Sequence, residues 1–319
     1  MTTRLKIVVV LGPTATGKSD LAIVLAKKFN SEVISADSRQ VYRGLDLGSG
    51  KVPRDKTNSY VLGPNYYYQG IRHHLLDVAS PRSVFTVQKY QYHARRAITD
   101  ILRRGKLPII CGGTGLYIDS VIYNTKFPEV PPNTKLRKTL EKLSTIRLFA
   151  RIRELDPARA ATIDQHNRPR LIRAIEIAKA LGKIPELKKE SPYEVLKIGL
   201  TLPKEELEKR IKKRLDKRLK LGMVEEVKRL HANRPIRANG PMGSLSWKRL
   251  DDLGLEYRYI SRYLRKLITY DQMRELIIKE SIKYAKRQMT WFKRDKNIVW
   301  IDGSTSPLRV NKLVSGFLR

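Results

Sequence analysis

Eight residues near the amino terminus, Gly12-Pro13-Thr14-Ala15-Thr16-Gly17-Lys18-Ser19, fit the pattern G-x-x-x-x-G-K-[ST] at every fixed position. The chemistry of that pattern is polyphosphate binding. Gly12 and Gly17 let the backbone turn its N–H groups inward around a phosphate. Lys18 can reach a phosphate oxygen, and the Ser19 hydroxyl can hold Mg²⁺. The loop specifies a polyphosphate and does not by itself specify ATP. Two other stretches carry candidate chemistry. Asp37, in Asp37-Ser38-Arg39-Gln40-Val41-Tyr42, follows a short apolar run and reads either as an acid at a ligand site or as a helix N-cap. Thr114, in Cys111-Gly112-Gly113-Thr114-Gly115-Leu116-Tyr117, can donate to a phosphate or a base, or can cap the helix that follows.

The elements that must position these residues are legible around them. Leu5 to Leu11 (LKIVVVL) is the continuous apolar, β-branched run of a buried parallel strand. The residues after Ser19 have Leu21, Ala22, Leu25 and Ala26 at helical spacing, and the helix N-terminus adds its positive end to the loop. Glu32 to Ala36 reads as a second strand ending at Asp37, which places that acid where open α/β sheets hold ligands. Gly44 to Pro53 is Gly-rich and is expected to be a mobile loop. His73 and His74 are adjacent, so on a strand they face opposite ways, and a structural role is expected rather than a metal site. Phe85 to Arg104 reads as a helix ended by Gly105, and Leu107 to Cys111 as a buried strand running into the second glycine-rich turn.

From about Thr125 the texture changes. Phe127-Pro128 and Pro131-Pro132 form a stiff connection. Three helical patterns follow with no strand between them: Thr134 to Arg153, one opened by Asp156-Pro157, and Arg168 to Leu181, stopped by Gly182. Val195 to Leu202 returns to the sheet. A long helix after Pro203 carries Leu207, Ile211, Leu215 and Leu219 on one face and Lys and Arg on the other. A final helix runs from about Gln272 to Arg294, and Ile298 to Ile301 reads as a last strand. The expected organisation is a first core segment over 1–124, an all-helical insertion over 125–187, and a second core segment with basic helices over 188–319.

Charge narrows the partners. The 319 residues include 65 Lys and Arg against 31 Asp and Glu, a formal net charge of +34. Such an excess points to a polyanion, nucleic acid first and an anionic membrane surface second. The single cysteine, Cys111, excludes an internal disulfide and suits a reducing compartment. No apolar run approaches the roughly 18 residues of a membrane span. The first apolar run is short and leads straight into the phosphate loop, so it is read as a strand and not as a signal peptide. A soluble cytoplasmic protein is expected.

The phosphate loop, ISADSRQVY (34–42), HHLLD (73–77), CGGTGLY (111–117), RPRLIRAIE (168–176), KRIKKRLDKRLKLGMVEEV (209–227) and KRQMTWFKR (286–294) occur in this order at suitable separations. Together they resemble the bacterial tRNA dimethylallyltransferases, also called isopentenyl-tRNA transferases, over nearly the whole chain. The resemblance implies an α/β fold, a P-loop NTPase-like parallel sheet flanked by helices, with an all-helical insertion. It implies transfer of a dimethylallyl group from its diphosphate to the exocyclic amine of the adenosine 3′ of the anticodon, in tRNAs that read codons beginning with U. The implied partners are the tRNA anticodon stem-loop and dimethylallyl diphosphate, with Mg²⁺ as cofactor, and a monomer without membrane association is expected.

The same resemblance assigns roles to residues. The general base falls on Asp37. The adenosine-recognition stretch falls on Asp37, Ser38, Arg39 and Gln40, with Arg39 standing where the family usually has an apolar residue. Thr114 and Arg137 fall on tRNA-contacting positions, and Thr114 joins Asp37 and Arg214 in the catalytic set, Arg214 being the diphosphate-contacting arginine. A tRNA-contacting stretch of the insertion falls on Pro169, Arg170, Leu171, Ile172 and Arg173, with Pro169 in place of a frequent glutamine. The C-terminal contact stretch falls on Lys286, Arg287, Gln288, Thr290, Trp291 and Lys293. The G-Y-[KR]-E motif of many members is replaced here by Leu253-Gly254-Leu255-Glu256-Tyr257-Arg258-Tyr259. The alternatives are a P-loop kinase or RNA-stimulated ATPase, weakened by the lack of a strand ending in a clear Walker B acid, and a non-catalytic RNA-binding protein, which leaves the phosphate loop unexplained.

Overall fold

The computed structural model describes residues 4–55, 65–186, 190–232, 244–305 and 307–319. The chain divides into two compact units, Met1–Asn124 with Ser191–Arg319, and Thr125–Glu190.

The larger unit begins with β1 (Leu5–Leu11), α1 (Lys18–Lys28), β2 (Ser31–Ala36), the short strands β3 (Tyr66–Tyr68) and β4 (Ile71–His74), α2 (Val87–Arg103), β5 (Leu107–Gly112) and α3 (Gly115–Ile122). The described strands form one sheet in the order β3-β4-β2-β5-β1-β6-β7, where β6 is Tyr193–Thr201 and β7 is Ile298–Asp302. All neighbouring pairs are parallel except β3 with β4. The β-branched run Ile7 to Val10 is fully buried because helices cover both faces. On one face Ile7, Val9 and Leu11 pack with Ile98, Ile101 and Ile118 of α2 and α3. On the other, Val8 and Val10 pack with Leu21 and Leu25 of α1 and with Val310 and Val314 of α13 (Pro307–Leu318).

After β6 come α8 (Lys204–Lys220), α9 (Met223–His231), α10 (Trp247–Leu253), α11 (Leu255–Leu264) and α12 (Tyr270–Phe292). Leu215, Met223, Val227, Leu250, Tyr257, Ile260 and Ile277 of these helices form a core with Val41, Tyr42 and Leu45. The helix expected to be the last, α12, starts two residues before the expected Gln272, because Thr269 and Gln272 make a capping box, and α13 follows it after β7.

The Gly-rich stretch from Gly44 is not the mobile loop expected from its composition. The Glu226 carboxylate accepts the backbone N–H groups of Asp46, Leu47 and Gly48 at 3.1, 2.6 and 3.0 Å. Arg218 Nη1 donates to the carbonyls of Leu47 and Gly48 at 3.0 Å each. The buried Lys51 ammonium bridges Asp46 and Asp77 at 2.7 and 2.6 Å. Glu226 and Arg218 lie far away in sequence, so local composition could not report them. The histidines are structural, as expected: His74 Nε2 meets Glu32 at 2.7 Å, and His73 is buried with Nδ1 at 3.0 Å from the Ile71 carbonyl.

The smaller unit contains α4 (Thr134–Leu140), α5 (Thr145–Leu155), α6 (Pro157–Ala160) and α7 (Arg168–Leu181) around a core of Leu140, Leu148, Ile152, Leu171 and Ile175. The first expected helix, Thr134 to Arg153, is two helices, because Ser144 caps a new start by accepting from Arg147 N. Asp156-Pro157 opens only a single turn.

Candidate active site

Parallel pairing brings three turns to one edge of the sheet. Leu11 of β1 and Ala36 of β2 both lie in register with Gly112 of β5, which runs between them. The phosphate loop, the Gly113-Thr114 turn and Asp37 therefore leave adjacent strands side by side. With strands about 4.8 Å apart, Asp37 and the phosphate loop stand roughly 10 Å apart at their strand ends. That gap suits a substrate held between an acid and a phosphate cradle.

Within the loop Ala15 and Gly17 take left-handed backbone at φ 66° and 89°. Lys18 Nζ donates back to the Pro13 carbonyl, and Thr16 Oγ1 donates to the same carbonyl at 3.0 Å. Burial lowers the Lys18 ammonium to about 8. Two helices then converge on Thr14. Arg214 of α8 donates to its hydroxyl, and Gln288 of α12 accepts its backbone N–H at 2.8 Å. Arg214 Nε is buried with no hydrogen-bond partner among the described residues. Burial, and secondly the neighbouring Arg218, lower the Arg214 guanidinium to about 10. Lys18, Arg214 and Arg218 thus form a cluster of basic side chains at the phosphate loop.

Asp37 is not a helix N-cap. Its Oδ1 caps a turn, accepting from Arg39 N at 2.7 Å and Gln40 N at 3.3 Å, while Oδ2 has no hydrogen-bond partner among the described residues. Thr114 precedes α3 but its hydroxyl does not cap that helix; Oγ1 accepts instead from Ser38 N at 3.2 Å. Burial first, then the nearby Asp37, push the phenol of Tyr284 on α12 up to about 12. Gln40 accepts from Ser35 Oγ at 3.0 Å and donates to Gly50 O at 3.3 Å, linking this turn to the pinned Gly-rich stretch.

Ser19, the second residue of α1, is exposed. Among the described residues no group of three His, Cys, Asp or Glu side chains could hold a metal ion. A lone hydroxyl beside a phosphate cradle fits Mg²⁺, which takes most of its oxygen ligands from substrate phosphates and water.

Residues 40–295 match the family described as IPP transferase, and residues 5–61 the one described as isopentenyl transferase. A curated relative, the tRNA dimethylallyltransferase of Anoxybacillus flavithermus, is 39% identical over 317 residues, spanning 97% of this chain and 95% of its own length. The chain belongs to the tRNA dimethylallyltransferase family. Solved relatives share the fold. The full-length tRNA isopentenylpyrophosphate transferase of Bacillus halodurans superposes with a TM-score of 0.68 at 32% identity, covering 98% of this chain and 96% of that one. A eukaryotic dimethylallyltransferase, solved acting on tRNA, gives 0.77 at 25% identity, covering 98% of this chain and 80% of its own.

Around these residues the chain carries supporting contacts that its sequence motifs did not single out. In the segment that replaces G-Y-[KR]-E, Glu256 takes Arg218 Nη2 at 2.6 Å and the Tyr257 hydroxyl donates to Glu226 at 2.9 Å. Arg218 is thereby fixed beside Arg214. Burial raises the Glu226 carboxyl, opposed by the amides it accepts. Arg274 of α12 forms a forked pair with Asp216 of α8 at 2.7 and 2.9 Å.

The remaining sequence candidates fall into inward and outward groups. On α12, Lys286, Arg287 and Thr290 are exposed, as is Lys293 at its C-cap, Trp291 is partly buried with Nε1 donating to Asp119 at 3.0 Å, and Gln288 is buried at 6% exposure. In the smaller unit Pro169 and Arg170 are exposed, whereas Leu171 and Ile172 are core. Arg137 forks onto the buried Glu176 at 2.7 Å through both Nε and Nη2, and Arg173 joins at 3.2 Å.

Proposed function

We propose that this protein transfers the dimethylallyl group of dimethylallyl diphosphate to the exocyclic amine of the adenosine 3′ of the anticodon, in tRNAs reading codons that begin with U. The observation that carries this reading is the side-by-side placement of the phosphate loop and the Asp37 carboxylate, with Thr114 between them. An adenine amine is a poor nucleophile, since its lone pair is delocalised into the ring. It forms its bond to the allylic carbon as the carbon–oxygen bond to diphosphate breaks, and its proton passes to Asp37 Oδ2. Anticodon-loop bases can leave the stack at modest cost, so the amine can reach a carboxylate at a strand end.

The leaving diphosphate gains negative charge on its bridging oxygen. Loop amides, Lys18 and Arg214 are preorganised to stabilise it. Ser19 would hold Mg²⁺, which would supply further charge neutralisation. Thr114 and the turn 37–40 position the adenosine. The tRNA lies on basic surfaces: Lys286, Arg287 and Thr290 of α12 with Lys293 at its C-cap, the outer face of α8, and the basic residues of the 125–190 unit, including Arg170. The protein acts as a monomer in the cytoplasm.

The test is transfer itself. Incubation with labelled dimethylallyl diphosphate and unmodified tRNA is expected to yield isopentenyladenosine and free diphosphate. RNA-stimulated release of phosphate from ATP without prenyl transfer would instead mark a kinase-like or ATPase protein, and tight tRNA binding without turnover a binding protein.

A further inference from the structure

The amide of Gln288 is enclosed between a donor and an acceptor that belong to two different turns. Its Oε1 accepts the Thr14 N–H at 2.8 Å, and its Nε2 donates to the Gly113 carbonyl at 2.9 Å. A backbone N–H can only donate and a carbonyl can only accept, so the orientation of the amide is unambiguous. No carboxylate satisfies both, and no apolar side chain satisfies either. The close approach also explains Gly113: a Cβ there would stand 2.1 Å from Gln288 Nε2.

A neighbour of Gln288 on the same helix face packs on the same turn: Trp291, three residues later, covers Gly115, where a Cβ would stand 2.2 Å from its ring. The opposite face of this stretch exposes Lys286, Arg287, Thr290 and Lys293. One helix thus carries a basic outer face and an inner face locked to the catalytic turns.

We infer that Gln288 is a positioning residue for group transfer: it fixes the phosphate loop relative to the Gly113-Thr114 turn, and so sets the donor's diphosphate against the acceptor amine. This rests on the transfer reaction proposed above. Gln288 does not reach the tRNA. Its removal leaves the Thr14 N–H and the Gly113 carbonyl without their partner and frees the two turns to shift. Since a misplacement of about 1 Å can lower a rate by roughly 100-fold, the effect falls on the donor side of the reaction.

The experiment compares Gln288→Met and Gly113→Ala with the wild type. The second variant displaces the same amide from the other side and serves if the first does not fold. Three quantities are read: kcat/KM for dimethylallyl diphosphate at saturating tRNA, Kd for tRNA, and Kd for inorganic pyrophosphate without tRNA. The expected result is a loss of about 10- to 100-fold in kcat/KM and weakened pyrophosphate binding, with tRNA Kd within about twofold of wild type. Unchanged pyrophosphate binding and kcat/KM together with tenfold weaker tRNA binding would overturn the inference and make Gln288 a tRNA contact. Pyrophosphate binding needs no turnover, so it tests Gln288 even if the wild type fails to transfer a prenyl group, which would sink the functional reading alone.

Discussion

The Arg214 guanidinium hydrogen-bonds to the Thr14 hydroxyl, joining a helix to the phosphate loop across 200 residues of sequence. Its Nε remains buried without a partner among the described residues. A guanidinium in that state is completed by an anion, and its planar fork matches phosphate oxygens.

Arg214→Lys keeps the charge and loses the fork. We expect kcat/KM for dimethylallyl diphosphate to fall by about 10- to 100-fold, roughly 1.4 to 2.7 kcal/mol of transition-state stabilisation, with tRNA affinity unchanged. Steady-state kinetics at saturating tRNA measure it. Wild-type kcat/KM would place the diphosphate elsewhere.

Lys18 gives a pH-dependent signature. Burial lowers its ammonium to about 8 in the free protein. At pH 8 about half of the molecules therefore carry a neutral Lys18, and an arriving diphosphate favours the charged form and raises the pKa. Binding is expected to take up protons at pH 8, with less uptake at pH 6.5 where the lysine is already charged. Calorimetry of diphosphate binding in buffers of different ionisation enthalpy reads the uptake. Lys18→Met should abolish it and cripple turnover; equal uptake in the variant would assign the proton to another group.

Sequence and structure agree where the determinants are local. The run from Leu5 to Leu11, the loop to Ser19 and the start of α1 are specified by neighbours in sequence, and the strand spans Leu5–Leu11 as read. The determinants of the Gly-rich stretch are not local. Glycines at 44, 48 and 50 suggest freedom, yet Glu226 and Arg218 hold the segment from across 180 and 171 residues of sequence, and the Tyr257 hydroxyl in turn holds Glu226. The β3–β4 hairpin escaped notice because strands of three and four residues give no usable periodicity. At the site, Asp37 and Thr114 each admit a helix-capping role; Asp37 instead caps a local turn through Arg39 and Gln40, and tertiary pairing turns the Thr114 hydroxyl to Ser38. Gln288 was hidden in a basic stretch, since helix phase alone does not tell which face meets the sheet edge.

Glu226→Gln tests the distant anchor. Three backbone N–H groups and the Tyr257 hydroxyl donate to the Glu226 carboxylate. An amide offers one acceptor oxygen and turns an NH₂ toward donors, leaving buried groups unsatisfied at about 1–3 kcal/mol. A lower Tm is expected, together with reduced kcat, because the same segment braces Arg218 beside Arg214. A variant as stable and active as wild type would show that the anchor is dispensable.

The tRNA surface is tested by salt. If the exposed lysines and arginines meet several phosphates, log K against log[salt] should fall with a slope of about −0.7 to −0.9 per phosphate contacted. Lys286→Ala and Arg170→Ala should each lower affinity and make that slope shallower by about one contact. A salt-independent Kd would contradict the electrostatic reading of the net charge of +34.

Asp37→Asn addresses the chemistry itself. Asparagine retains an Oδ1 that can accept from Arg39 and Gln40, so the turn that Asp37 caps should survive. What it loses is the carboxylate oxygen, Oδ2, to which the proposed reaction assigns the proton. The decisive measurement is single-turnover prenyl transfer by the folded, tRNA-bound variant. The account predicts a rate lower by about two to four orders of magnitude, with Tm and tRNA affinity nearly unchanged. Transfer at near wild-type rate would contradict it and remove Asp37 from the role of base.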